Sequence, residues 1–240
     1  MCEGWVIPPP HGKSTKTKAD FLKEREEMVQ RLIGWNLLRS THIIEAMRKV
    51  PREEFMPRDY VDYAYLEVPF PIPGDGMQTI SCPHSYPLFY EALELGSGDD
   101  FLEVGTGSGY GAALAREIAG RDGKVVSIEI NQVTFRFARD NLRRLGYDDI
   151  ILVRGDGSIG YQTEAPYTKI SVTADSPTVP QALVAQLAAP GKLVSPVGRN
   201  PDGSQDLILV TKGTDGLTML DVIDRVLYVP LVGRHGWENL

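Results

Sequence analysis

A short, largely apolar run that ends in a glycine-rich turn is the feature that most constrains the fold of this chain. The run covers residues 101–104, and glycines follow at alternate positions from residue 105 to residue 109. A second apolar run, residues 125–128, ends in a single acid, Glu129. A buried strand, a tight turn that lets a ligand touch the backbone, and a second strand that presents an acid to a ribose together make a nucleoside-cofactor site. The two runs therefore predict an α/β fold and an enzyme.

Composition narrows the class of protein. The chain has 240 residues, 42% of them hydrophobic, which is ordinary for a soluble globular protein with a sizeable core. The net charge of −7 argues against a nucleic-acid partner, which usually leaves a basic footprint. Two cysteines outside any CxxC pair and four dispersed histidines predict no metal site and a reducing, cytoplasmic location. No apolar run is long enough to span a bilayer, so we expect no membrane partner.

The pattern along the chain predicts one structural unit with three regions. Residues 1–17 are expected to be a flexible leader, residues 18–87 an N-terminal helical and substrate-loop region, and residues 88–240 the cofactor-binding domain. Strands alternate with helices in the last region, which predicts a mostly parallel, doubly wound sheet with strands near residues 101–104, 124–130, 150–153, 170–173 and 193–197. Three later apolar runs predict an antiparallel C-terminal part with strands near residues 207–211, 217–222 and 226–231.

The spacing of the glycines indicates which cofactor the turn would bind. Dinucleotide-binding proteins use G-x-G-x-x-G, with a pyrophosphate on the following helix N-terminus. Alternate glycines after an acid, Glu103, better suit a cofactor without pyrophosphate, and S-adenosyl-L-methionine (AdoMet) is the leading candidate. Glu103 would balance its ammonium group, Glu129 would bind its ribose, and Asp156 with Gly157 would face its base. The alternatives are a plain strand-to-helix turn, a solvent-facing acid and an ordinary Asp-Gly turn.

Several segments, in order along the chain, resemble the protein-L-isoaspartate (D-aspartate) O-methyltransferase family. They are residues 50–55, 78–84, 103–109, 155–157, 190–198 and 228–233. The specific part is the Thr-Ile-Ser of residues 79–81 with Pro83 and His84, because the glycine turn occurs in many methyltransferases. The resemblance implies a Rossmann-like class I AdoMet-dependent methyltransferase fold with N-terminal helices.

The resemblance also implies an activity and a set of site residues. The enzyme would transfer a methyl group from AdoMet to the α-carboxylate of an L-isoaspartyl residue in damaged proteins and peptides, leaving S-adenosyl-L-homocysteine. The ester would then collapse to a succinimide that partly reopens to aspartate. Ser81 matches the catalytic serine and also the substrate site, together with the backbone of Val229, Pro230 and Leu231. The matching cofactor positions are Gln78, Thr79, Ile80, Ser81, Glu103, Gly105, Thr106, Gly107, Glu129, Asp156 and Gly157.

Elementary chemistry agrees with a site that lacks a general base. A carboxylate is ionised at pH 7 and can attack a sulfonium methyl group directly. The protein has only to align the reacting atoms and exclude water. A hydroxyl at Ser81 that orients the carboxylate is sufficient, and His84 is expected to be structural. Cys82 is expected to pack rather than react.

Three positions depart from the family pattern. Thr168 replaces an aspartate before the fourth strand of the α/β rhythm, Asp175 falls in a run that is usually alanine, and the loop of residues 71–77 looks longer than usual. Asp175 is expected to be an exposed loop charge, or else an acid that faces cofactor or substrate and signals a changed substrate. Trp237 is expected to pack or to anchor the chain end.

Two other functions stay open on the sequence alone. The same fold could methylate a carboxylate in a different, dedicated peptide, or a nucleic-acid base, although the acidic charge disfavours the latter. The chain could also be a non-catalytic AdoMet-binding module, which an intact 78–81 segment disfavours. A monomer is favoured.

Overall fold

The computed structural model describes residues 12–237, and within them the chain forms one central sheet with helices packed against it. The helices are α1 (Lys18–Gly34), α2 (Thr41–Lys49), α3 (Ser85–Leu93), α4 (Tyr110–Ala119), α5 (Gln132–Arg144) and α6 (Gln181–Gln186). The strands are β1 (Phe70–Pro71), β2 (Thr79–Ile80), β3 (Asp100–Val104), β4 (Lys124–Glu129), β5 (Ile151–Arg154), β6 (Tyr167–Val172), β7 (Leu187–Val197), β8 (Gln205–Lys212) and β9 (Thr218–Val226).

The order of strands across the main sheet is β5-β4-β3-β6-β7-β8-β9, while β1 and β2 form a separate antiparallel pair. Strands β3 to β7 run parallel, and β8 and β9 are antiparallel to their neighbours. The predicted mixture of a parallel sheet with an antiparallel C-terminal part is therefore confirmed. Because the carboxyl ends of parallel strands meet at one edge, the turns after β3, β4, β5 and β6 come together there.

Alternation along β3 divides the core between the two faces of the sheet. Phe101 packs in the larger cluster with the N-terminal helices, and Leu102 and Val104 pack in the second cluster with α6. Successive side chains of a strand point to opposite faces. Glu103 therefore lies on the same face as Phe101, toward α3 and α4.

The start of the described chain is more ordered than the predicted leader. Thr17 caps α1 in a reciprocal capping box with Asp20. The Thr15 backbone N–H donates to Asp62 at 3.1 Å, and the Ser14 hydroxyl donates to the same carboxylate. Residues 14–17 are thus held to the body of the protein. The rest of the predicted leader, residues 1–11, lies outside the described residues.

The predicted strands 217–222 and 226–231 were wrong as two separate strands. One strand, β9, covers Thr218–Val226 and takes up an irregularity opposite Leu207 and Ile208 without breaking. Neither glycine nor proline stands between residues 222 and 226, and Asp224 pairs with Leu207 of β8 instead of turning the chain, so the strand continues. The following segment forms only an isolated parallel bridge, between Pro230 and Asp175. Among the described helices none is both long and apolar enough to cross a membrane.

Thr168, one of the departures from the family pattern, lies at the amino end of β6. Its hydroxyl donates to Asp99 Oδ1 at 2.7 Å and accepts from the Asp100 backbone N–H at 3.0 Å. It joins the starts of β3 and β6 at the edge of the sheet opposite the turns described above. This departure therefore has a structural role and does not touch the carboxyl-end edge.

Replacing Thr168 with valine should weaken the connection between the starts of β3 and β6. We expect Thr168→Val to lower the free energy of unfolding by about 1–2 kcal/mol, because the hydroxyl and its two partners lose their hydrogen bonds. Urea unfolding measures this change. Thr168→Ser keeps the hydroxyl and should retain most of the stability. Equal unfolding midpoints for the valine variant and the parent chain would contradict this role.

Candidate active site

The glycine turn after β3 brings the backbone to the surface of the site. Gly105, Gly107 and Gly109 have φ of 97°, 57° and 89°, in the left-handed region that favours glycine. A Cβ on Gly105 would lie 2.3 Å from Thr173 Oγ1, so no larger residue fits there. The Thr173 hydroxyl donates to the Gly105 carbonyl at 2.8 Å. The turn is thus fixed against the end of β6.

Glu129 ends β4 next to this turn, as the sequence predicts. The side chain is 6% exposed. Its Oε2 accepts from the Gly107 N–H at 3.1 Å and its Oε1 from the Asn131 N–H at 2.9 Å. Burial raises the pKa of Glu129, and the backbone N–H donors partly oppose that rise. Each carboxylate oxygen can accept a second hydrogen bond, which leaves room for two hydroxyl donors from a ligand.

Glu103 is a buried acid on the face of the sheet that α3 and α4 cover. It is 3% exposed, and the Ser127 hydroxyl donates to its Oε2 at 2.6 Å. Thr106 extends this network through a 2.7 Å hydrogen bond between its hydroxyl and that of Ser127. Burial raises the pKa of Glu103 to about 8; the Ser127 hydrogen bond opposes the rise, and the charge of Glu129 adds to it. No ion pair among the described residues includes Glu103, so a cation that bound here would stabilise its charged form.

Asp156 and Gly157 follow β5 at the predicted edge, but both are already engaged by protein. Asp156 Oδ1 accepts from the Ser158 N–H at 2.9 Å, and its Oδ2 accepts from the Arg234 N–H at 2.8 Å. Gly157 is buried, and a Cβ there would come within 2.6 Å of Val104 Cγ1. The carboxylate therefore holds the C-terminal segment as well as lying at the cofactor edge.

The upstream segment of residues 78–81 lies over the glycine turn. The Thr79 carbonyl is 3.7 Å from the position that a Cβ on Gly107 would take. Gln78 Oε1 accepts from the Asp75 N–H at 2.9 Å, so part of its side chain is used within its own loop. Ile80 is 1% exposed and its side chain belongs to the core, which leaves only its backbone for a ligand. The structure thus brings residues 78–81 to the turn, with Thr79 nearest.

The loop of residues 71–77 continues from this segment to the start of α5. Thr134 Oγ1 donates to the Pro73 carbonyl at 2.8 Å, and Asn131 Nδ2 donates to Asp75 Oδ2 at 3.2 Å. The loop therefore extends from the glycine turn to the residues that follow Glu129. It thus lies near the acid predicted to bind ribose, and its greater length than usual stays a prediction from the sequence.

Ser81 faces a small cavity between the carboxyl ends of β3 and β6. The cavity measures ≈ 20 Å³, enough for about one water molecule. It is lined by Ser81, Ser85, Tyr86, Phe89, Tyr90, Glu103, Ser171, Thr173 and Tyr228. The hydroxyls of Ser81 and Ser85 hydrogen-bond to that of Tyr228 and hold down its pKa, which burial raises overall. A hydroxyl, a buried acid and the end of β6 thus meet at one point.

The backbone of residues 229–231 is only partly free to hold a peptide. The Val229 carbonyl accepts from the Asp175 N–H at 2.8 Å, and the Leu231 N–H donates to the Asp175 carbonyl at 2.7 Å. The side-chain amide of Gln205 bonds the backbone of Tyr228, with the Tyr228 N–H donating to Gln205 Oε1 at 2.8 Å. On the free edge this arrangement leaves the Pro230 carbonyl as the group a substrate backbone can reach.

Sequence reasoning missed residues that support the site from behind. Arg52 is fully buried, and its guanidinium donates to the Ser81 carbonyl at 2.6 Å and to the Ala64 carbonyl at 2.7 Å. Its place in the family-like segment of residues 50–55 was the available signal. Tyr228 opens the 228–233 segment and could have been found in the same way. Gln205 and Thr173 carried no signal, because their roles depend on where β6 and β8 lie.

The remaining predictions for single residues have mixed outcomes. Asp175 is fully buried, so its interpretation as an exposed loop charge was wrong; its carboxylate accepts from Trp237 Nε1 at 2.9 Å. This contact confirms Trp237 as an anchor of the described C-terminal segment. Cys82 is buried, which raises the pKa of its thiol to about 12, as expected of a packing residue. His84 Nδ1 lies 2.9 Å from Glu67 Oε2, which fits a structural role.

The raised pKa of Glu103 predicts a specific pH dependence of stability. The folded protein keeps a proton on this group up to about pH 8, whereas the ordinary value is 4.5. The folded state therefore binds more protons than the unfolded state between these pH values, and the stability contributed by this site falls as pH rises through that window. Urea unfolding at pH 5, 6.5 and 8 measures it. Glu103→Gln should be more favourable relative to the parent at pH 8 than at pH 5; parallel curves would contradict the burial argument.

Comparison with known proteins identifies the family of this chain. The family model described as protein-L-isoaspartate(D-aspartate) O-methyltransferase matches residues 23–236. A protein-L-isoaspartate O-methyltransferase from Methanothermobacter thermautotrophicus is 42% identical over 218 residues, covering 91% of this chain and 99% of the relative. Protein-L-isoaspartate O-methyltransferase 2 from Archaeoglobus fulgidus is 45% identical over 221 residues, covering 92% and 98%.

Two solved structures extend the comparison to the fold. A protein-L-isoaspartate O-methyltransferase superimposes with a TM-score of 0.80 at 30% identity, over 88% of this chain and 67% of the other. A β-aspartate methyltransferase from Plasmodium falciparum, solved with S-adenosyl-L-homocysteine, gives 0.75 at 23% identity over 87% and 98%, a likeness of fold. The family model, the relatives and the shared fold agree, and the chain belongs to the protein-L-isoaspartate O-methyltransferase family.

Proposed function

We propose that this chain methylates the α-carboxylate of L-isoaspartyl residues in damaged proteins and peptides, with AdoMet as the methyl donor. The observation that carries the proposal is the meeting of Ser81, Glu103 and Thr173 around one cavity beside the glycine turn. A hydroxyl that would bind the acceptor and an acid that would bind the donor lie next to each other, which supports the proposal. Family membership supplies the substrate class.

The residues present fit AdoMet. Glu103 is a buried acid without a cation among its described partners, which suits a ligand ammonium group. Glu129 keeps acceptor capacity beyond its two backbone partners, which suits ribose hydroxyls. At Gly105 a Cβ would collide with Thr173, and at Gly107 the left-handed φ favours glycine, so the turn presents backbone without side chains. Bound AdoMet supplies an electrophilic methyl group on a cationic sulfur.

Ser81 is proposed to orient the acceptor. The isoaspartyl carboxylate is ionised at neutral pH and needs no base. A hydroxyl that donates to one carboxylate oxygen turns the other toward the methyl group, which is the alignment that such a transfer needs. Arg52 fixes the Ser81 backbone from behind by its 2.6 Å hydrogen bond, so that the hydroxyl starts from a defined position.

Water exclusion is proposed as the second task of the site. Tyr86, Phe89 and Tyr90 line the cavity with aromatic surface, and Tyr228 closes it beside Ser81. Burial holds the pKa of each of these tyrosines above its usual range, so their hydroxyls stay neutral at working pH. A dry, neutral wall strengthens the interaction of the carboxylate with the donor's positive charge.

Repair follows from the chemistry of the product. The ester carbonyl carbon is a better electrophile than that of the ionised acid. The backbone nitrogen of the next residue attacks it and methanol leaves, so the succinimide forms without any further residue of this chain. Partial reopening to aspartate completes the repair. The partners are therefore proteins and peptides that carry isoaspartyl residues. A monomer and a cytoplasmic location stay predictions from the sequence.

The alternative of a different, dedicated peptide substrate depended on Asp175. The structure directs that carboxylate to Trp237 and Arg199. It therefore no longer favours a changed substrate, and a non-catalytic module has no observation in its favour among the described residues.

Two matched peptides test the proposed function. A peptide with one isoaspartyl residue and its normal aspartyl twin are incubated with labelled AdoMet and the protein. We expect label on the isoaspartyl peptide alone, because only its α-carboxylate reaches the cavity beside Ser81. Equal labelling of both peptides, or label on neither while AdoMet binds, would overturn the assignment.

Replacing Ser81 separates acceptor binding from donor binding. Ser81→Ala should lower kcat/KM for the isoaspartyl peptide about tenfold or more, the usual cost of losing a hydrogen bond to a charged group. AdoMet affinity, measured by calorimetry, should change less than about twofold, and Ser81→Thr should recover part of the activity. A large loss of AdoMet affinity would move Ser81 from the acceptor to the donor.

A further inference from the structure

Asp175 lies three residues after Val172, the last residue of β6, and its side chain is buried without exposed surface. Its Oδ2 accepts from Trp237 Nε1 at 2.9 Å and lies 3.8 Å from Arg199 Nε. Its Oδ1 is buried without a hydrogen bond among the described residues. A half-satisfied buried carboxylate costs folding free energy, so packing alone does not explain it. Burial raises the pKa of Asp175, and Trp237 and Arg199 oppose that rise.

Asp175 and Trp237 hold residues 229–231 from two sides. Asp175 uses its backbone N–H for the Val229 carbonyl and its own carbonyl for the Leu231 N–H, at 2.8 and 2.7 Å. The Trp237 backbone N–H donates to the Leu231 carbonyl at 3.2 Å. The indole ring of Trp237 also contacts Asp175. Besides its bond to the carboxylate, Trp237 Nε1 lies 3.1 Å from the Asp175 carbonyl oxygen. Residues 229–237 therefore form a loop, and both ends of this loop contact Asp175.

Arg199 covers the outside of this closure. Its guanidinium carbon is 4.3 Å from the centre of the Trp237 ring, and its side chain is about half exposed. It therefore stacks on the indole and supplies a positive charge near Asp175 Oδ2. Asp175, Trp237 and Arg199, here called the C-terminal clamp, form one contact set outside the methyl-transfer cavity.

We infer that Asp175 is a positioning residue for substrate: through the C-terminal clamp it holds residues 229–231 in the shape that binds the backbone of the isoaspartyl peptide. The inference rests on the proposed function. The reason is the pairing of this segment. One edge of residues 229–231 is hydrogen-bonded to Asp175 through Val229 and Leu231, and the Pro230 carbonyl therefore points to the opposite edge. The clamp touches neither Ser81 nor Glu103, so it acts on peptide binding and leaves methyl transfer alone.

Steady-state kinetics with the isoaspartyl peptide test the inference. Asp175→Ala and Trp237→Phe each remove the hydrogen bond between indole and carboxylate, and KM for the peptide should rise about tenfold. The kcat and the dissociation constant of AdoMet should stay within about twofold, because the cavity residues keep their contacts. Asp175→Asn keeps an acceptor for Trp237 Nε1 and should restore KM most of the way. Hydrogen exchange at the Leu231 amide should quicken in the first two variants.

Matched controls separate the clamp from the substitutions themselves. Trp35→Phe changes an exposed tryptophan at the end of α1, and Asp221→Ala an exposed aspartate on β9; neither should alter KM. An unchanged KM in Asp175→Ala and Trp237→Phe, with an active parent chain, would overturn the inference and leave the proposed function intact. A parallel fall of kcat and AdoMet affinity would also overturn it. A parent chain that methylates no isoaspartyl peptide would overturn the function and this inference with it.

Discussion

The left-handed turn after β3 is the constraint on which the rest of the site depends. Gly105 can approach Thr173 only without a side chain, and that approach joins the ends of β3 and β6. The Gly107 N–H in the same turn donates to Glu129 and so joins the end of β3 to the end of β4. A substitution that forbade positive φ here would separate three strand ends at once. The residues proposed to bind the methyl donor and the acceptor lie close together because this short turn connects the strand ends.

Two buried carboxyl groups of the site have no cationic partner among the described residues. Glu103 and Glu129 are both buried carboxylates whose pKa values burial raises, and their described partners are hydroxyl and backbone donors. Burial disfavours the charged form of both carboxyl groups, and at Glu103 the folded protein keeps the proton up to about pH 8. Arg52 is the converse case, a buried cation held by two carbonyls and by the rings of Tyr86 and Tyr110. The Arg52 charge is therefore already in position, whereas Glu103 has to release its proton before it can pair with a cation.

Local pattern was enough to predict the parallel strands β3 to β7, the glycine turn and Glu129, because each depends on residues close in sequence. The segment of residues 78–81 was predicted from its resemblance to the family, and the structure has it beside the glycine turn. Asp175 could not be predicted in this way. Its partner Trp237 lies far along the chain, and only the position of β6 relative to the C-terminal segment shows that they meet. The position of Asp156 after β5 was predicted correctly. Its hydrogen bond from the Arg234 backbone N–H was not, because that bond depends on where the C-terminal segment lies. The missed strand boundary after β9 reflects an irregular pairing with β8 that no residue pattern marks.

Strand β9 lies at the edge of the sheet, and this position affects where local unfolding of the protein begins. This strand pairs with β8 on one side only, and nearly all its side chains are exposed, so it has few buried contacts to resist local unfolding. The chain that follows it is held elsewhere, by Gln205 at Tyr228 and by the end of β6 at residues 229–231. Fraying of β9 can therefore stop at Tyr228. The rim of the sheet can exchange its amide hydrogens quickly while the walls of the reaction cavity remain protected.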